Sequence, residues 1–110
     1  MRIRLTPAGA VTQATSKATA VVLNARCGVI TLNAASLAAT TSVSFTVTNA
    51  LIDAQDIPLA VIGSGGTASS YNVQIGAVAA GSCVIHVRNV TAGALAEALV
   101  LNFGLIKAAA

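Results

Sequence analysis

The stretch "GSCVIHVRNV", residues 81–90, holds the chain's single histidine, one of its two cysteines and an arginine. It is the one place where a general base and a nucleophile stand close in sequence, so acid–base or thiol chemistry would be sought there first. Strand spacing separates the groups: Cys83, Ile85 and Val87 share one face, and Val84, His86 and Arg88 share the other. The apolar set reads as core and the other as an outer face. A catalytic histidine needs a group to orient it and a nucleophile or substrate to serve. The only acids, Asp53, Asp56 and Glu97, stand on other segments, and no spacing ties them to His86. His86 therefore reads as a structural or interface residue.

Other chemistries fail by similar counting. One histidine, two cysteines and three acids are too few and too dispersed for a structural zinc site. The separation of Cys27 and Cys83 would suit an inter-sheet bridge in an immunoglobulin-like sandwich, but assembly in a cytoplasm favours two reduced thiols, with Cys83 in the core. "GSGG" (63–66) lacks the lysine and hydroxyl residue of a phosphate loop and reads as a flexible turn. "NVT" at Asn89 matches a glycosylation acceptor, a pattern without meaning in a cytoplasmic chain. The expectation is a non-enzyme with no cofactor and no metal.

Composition narrows the class. Of the 110 residues only 8% are charged and 55% are apolar, and the net charge is +3. A chain of this length is expected to form one domain. No run of ~18 apolar residues marks a membrane span. Pro7, Gly9, Thr12 and Gln13 interrupt anything like a signal-peptide core. The basic residues are scattered, and only Phe45, Tyr71 and Phe103 could stack on bases, so neither nucleic acid nor membrane is an expected partner. Free domains carry about 25% charged residues. A surface this poor in charge suits lasting contact with another protein, where buried charge is costly.

Apolar runs alternate with turn signals in the all-β manner. "SVSFTVTN" (42–49) is the clearest strand, with Val43, Phe45 and Val47 on one face and hydroxyl residues on the other. "IPLAVIG" (57–63) is expected to turn Ile57, Leu59 and Val61 inward, with Pro58 at an edge or strand end. "KATAVVLN", "GVITLN", "YNVQIGAV", "CVIHVRNV" and "LVLNFGLIK" supply further strands. The expected fold is all-β: an antiparallel β-sandwich of about seven to eight strands, immunoglobulin-like or jelly-roll in its connections. Residues 1–16 form an N-terminal arm or extra strand, dispensable for folding; residues 17–107 form the sandwich; residues 108–110 form a frayed tail.

The segments "GAVTQATSKATAVVLNARCGVITLN", "LAATTSVSFTVTN", "AAGSCVIHVRNVTAG" and "LAEALVLNFGLIK" together resemble a module of bacteriophage virion structural proteins. That family includes small head decoration or cement proteins and parts of fibre-like proteins. Its signatures are matched by Gly9–Lys17, Arg88–Gly93 and Glu97–Lys107. The resemblance implies a non-enzymatic protein that decorates the outer head surface and is assembled in the host bacterial cytoplasm. Its expected partners are the major capsid protein and further copies of itself, as a dimer or trimer. Candidate capsid contacts are Arg2, Arg4 and Lys17; Ser64, Gly65, Gly66 and Thr67 are weaker candidates. The alternative is a tail-fibre or receptor-binding module that touches a host glycan. The absence of tryptophan weighs against it, because sugar sites lean on aromatic platforms.

Overall fold

Period-two alternation of β-branched residues with hydroxyl residues gives strands wherever it is sustained, and a computed structural model describing residues 8–108 contains eight of them and no helix. They are β1 (Ala8–Thr12), β2 (Val21–Val22), β3 (Cys27–Thr31), β4 (Ser42–Thr48), β5 (Ile57–Ser64), β6 (Tyr71–Ala79), β7 (Ser82–Asn89) and β8 (Val100–Ile106). Two four-stranded sheets, ordered β1-β3-β8-β5 and β2-β4-β7-β6, pack into a β-sandwich. Only β6 and β7 form a hairpin between consecutive strands; every other connection crosses from one sheet to the other.

Phe45 and Val47 of β4 and Cys83, Ile85 and Val87 of β7 are buried as their alternation requires, with Val43 partly buried beside them. From the other sheet Ile30, Leu101, Phe103 and Leu105 complete the core. His86 and Arg88 lie on the outer face, as the period predicts.

Two expectations need correction. The sheets are mixed rather than antiparallel: β1 runs parallel to β3, and β2 parallel to β4. When the chain changes sheets at almost every connection, no hairpin fixes the direction of the strand that arrives beside it. Secondly, β5 faces the opposite way. Ile57, Leu59 and Val61 are 53%, 51% and 60% exposed, whereas Pro58 is buried and Ala60 partly so. The phase is set by β8: Pro58 pairs with Leu105, Ala60 with Phe103 and Ile62 with Leu101, and residues opposite one another in an antiparallel pair share a face. Within residues 1–16 the extra strand that the sequence allowed is present as β1. It pairs with β3 at the edge of its sheet, and Gln13 beyond it is buried. At the other end Ala108 is tied by its N–H to Asp56 Oδ1 at 2.9 Å.

Close strand approach explains one glycine. A Cβ at Gly28 would stand 2.6 Å from the Gly9 carbonyl oxygen, so a side chain there would force β1 away from β3.

Candidate binding surfaces

Gln13, Lys17 and Asn89 form polar clips. Gln13, 2% exposed, donates through Nε2 to the carbonyls of Lys17 (2.8 Å) and Thr19 (3.0 Å) and accepts the Asn33 N–H at Oε1 (3.0 Å). Lys17 continues the clip. Its ammonium donates to the carbonyls of Asn33, Ala35 (2.8 Å) and Glu97 (2.7 Å). Desolvation lowers its pKa, and the Glu97 carboxylate partly opposes the shift. Asn89, fully buried, donates to the Leu37 (3.0 Å) and Gly93 (2.9 Å) carbonyls and accepts from the Thr91 N–H and hydroxyl, which fixes the turn after β7. The Asn-Val-Thr pattern is therefore a structural anchor whose asparagine is closed to solvent.

The candidate contacts fall in three different settings. Arg2 and Arg4 lie outside the described residues. Lys17 is 3% exposed with its donors engaged by backbone, so it offers no cation to a partner. The loop Ser64, Gly65, Gly66 and Thr67 is exposed, as expected, at one end of the sandwich. Gly65 takes φ 87°, and a Cβ there would meet the Ala98 carbonyl at 2.4 Å. Glu97 moors this loop: Oε1 accepts the Tyr71 hydroxyl (2.7 Å) and the Thr67 N–H (3.2 Å), and Oε2 accepts the Thr67 hydroxyl (2.9 Å). These bonds, that of Tyr71 foremost, hold the Glu97 carboxyl below its ordinary range. Burial, helped by Glu97, pushes the Tyr71 phenol up to about 12. The loop roofs a pocket of about 250 Å³ floored by Ile62, Tyr71 and Leu99.

Two broad faces remain. On the outer face of the β2-β4-β7-β6 sheet the register aligns Ser42 with Arg88 and Asn72, and Ser44 with His86 and Gln74. Arg88 Nη1 donates to Ser42 Oγ at 3.4 Å, and Ser42, Asn72, Gln74, His86 and Arg88 line a shallow pocket of about 100 Å³. The His86 ring lies over Gly76, where a Cβ would come 2.2 Å from Nε2. No acid lines this pocket, so it presents hydrogen-bonding groups and one permanent cation without a base–carboxylate pair. The opposite outer face, on the β1-β3-β8-β5 sheet, carries Ile57, Leu59 and Val61 and no charged residue on any of its strands.

The acids do their work elsewhere. Asp53 and Asp56 both pair with Lys107, at 2.9 and 2.5 Å. Among the described residues no group of three or more metal-ligating side chains converges, and no helix is long and apolar enough to cross a membrane. Cys27 and Cys83, on different sheets, form no disulfide with one another.

Sequence reasoning located His86, Arg88 and the 64–67 loop on the surface but missed the outward face of β5. The signal was available: Ile57 to Ile62 is apolar at six consecutive positions, more than one face of an edge strand can bury. No family model, no curated protein and no solved structure matches the chain.

Proposed function

We propose that this chain is a non-enzymatic phage virion module that decorates the capsid and staples neighbouring capsid subunits on the outer head surface. The observation that carries the reading is the pair of broad outer faces, chemically different and on opposite sides of one sandwich. A staple needs more than one contact surface held at a fixed separation, and two packed sheets hold theirs ~10 Å apart at the backbone. The polar face, with Arg88, His86, Asn72 and Gln74, and the moored 64–67 loop are the parts that meet the major capsid protein. Residues 1–7, with Arg2 and Arg4, supply a further basic contact. Many weak contacts repeated around a closed shell resist separation of its subunits through effective concentration.

The rival reading, a tail-fibre or receptor-binding module, draws on the same polar face. Its Asn72 and Gln74 amides and Arg88 guanidinium are groups that hydrogen-bond sugar hydroxyls.

One experiment separates the two. Purified protein is mixed with phage heads that lack it, and the particles are imaged. Regular density on the shell, weakened by Arg88→Glu, is the expected result. Bare shells overturn the decoration reading, and protein on tails or on host cells moves the assignment to the receptor-binding alternative.

A further inference from the structure

We infer that the outer face of the β1-β3-β8-β5 sheet is a self-association surface that takes a second copy of this chain. Ile57, Leu59, Val61 and Ile106 stand there side by side, all about half exposed or more. Ile57 is opposite Ile106 in the register, and Leu59 is opposite Gly104. Together these four side chains expose roughly 400 Å² of apolar surface, as large as the largest patch on a typical monomer, where such patches are often functional.

Charge selects the occupant. Two identical chains of net charge +3 repel one another, and they approach at least cost through a surface that carries no charge. The strands of this face place no Asp, Glu, Lys or Arg among them. A partner recognised by opposite charge would find nothing here to pair with. Leu59, half exposed, stands opposite Gly104 in the register, so its side chain has no neighbouring side chain across that pair. A two-fold axis brings the same residues of both copies together, the arrangement of an isologous dimer. Face-to-face sheet packing at ~10 Å is the geometry expected.

Area sets the strength. The two copies together bury roughly 1,000 Å² when the flanking Val29, Thr31, Val100 and Asn102 are included, the size of a weak reversible interface rather than an obligate one. The association is therefore concentration-dependent. A dimer joined in this way turns its two polar faces outward in opposite directions, which makes one dimer bivalent. The inference deepens the homo-oligomer part of the proposed function but rests on this face alone, so bare phage heads and a monomeric chain are separate failures.

The test is sedimentation equilibrium of the full chain from micromolar to millimolar concentration, with Leu59→Arg and Val61→Lys as variants. Both positions are more than half exposed, and circular dichroism checks that each variant stays folded. The expected result is a monomer–dimer equilibrium that raising the salt does not weaken, with the dissociation constant raised at least tenfold by either substitution. A chain that stays monomeric at every concentration overturns the inference. A dimer untouched by both variants, or one dispersed by salt, overturns it as well.

Discussion

The ammonium of Lys17 lies 2.7 Å from the carbonyl oxygen of Glu97, a residue 80 positions away, and it bonds the carbonyls of Asn33 and Ala35 at the same time. One buried cation thus gathers three separate segments at the end of the sandwich where the Glu97 side chain moors the 64–67 loop. The residue that resembles a docking cation is an internal fastener.

Replacing Lys17 by methionine keeps the stem and removes the donors. Buried carbonyls left without partners cost about 1–3 kcal/mol each, tempered by relaxation. The expected loss is about 3 kcal/mol in urea denaturation, with a lower midpoint and an unchanged slope. An unaltered midpoint would show that water or the backbone replaces the ammonium without cost.

Stability should fall in acid. The Asp56 carboxyl is held at about 2, against an ordinary 3.8, by hydrogen bonds from Lys107 and from the Ala108 and Asp53 N–H groups. Glu97 is shifted the same way by Tyr71 and Thr67. A folded pKa below the unfolded one gives stability that is fully present above the unfolded value and is lost as pH falls through the folded one. Melting temperature should hold level from neutral pH to about 5 and then drop steadily towards 2. Asp56→Asn should flatten part of that drop; an equally steep drop in the variant would place its origin elsewhere.

The Cys83 thiol, 1% exposed, is pushed up to about 11 by desolvation. Thiolate is the reacting form, so burial and the raised pKa act in the same direction. At pH 8 a maleimide should leave Cys83 unmodified in the folded chain and label it once denaturant is added, as read by peptide mass. Rapid labelling of Cys83 without denaturant would mean that β7 opens far more readily than a core strand should.

Gly28→Ala is a test of the parallel β1–β3 pair. The new Cβ would meet backbone that cannot rotate away, 2.6 Å from the Gly9 oxygen. A loss of about 2 kcal/mol in thermal unfolding is expected, with amide exchange rising along β1 more than elsewhere. Unchanged exchange in β1 would show that the strand pair absorbs the methyl.

How far the fold could be read from sequence depended on how much each segment's two faces differ. In β4, hydroxyl residues alternate with Val43, Phe45 and Val47, and in β7 Cys83, Ile85 and Val87 alternate with His86 and Arg88, so only one orientation buries the apolar set. In β5 both faces are apolar, and the orientation comes from Phe103 and the two leucines of β8, beyond the reach of any local pattern. The clips were not legible in the sequence. Gln13, Lys17 and Asn89 are polar residues whose partners are backbone carbonyls and N–H groups of remote segments, and no side-chain complementarity in the sequence announces such a partner.

The place of β8 has a consequence for synthesis. It is the last of the described strands, yet it lies inside its sheet with β3 on one side and β5 on the other. While Ile106 is still in the ribosomal tunnel, β3 and β5 have no common neighbour, and that sheet cannot close. The nascent chain must wait with unpaired strand edges and apolar side chains exposed, the condition under which chains aggregate or recruit chaperones. A stop codon anywhere before β8 should therefore yield insoluble or degraded fragments, not a smaller folded module.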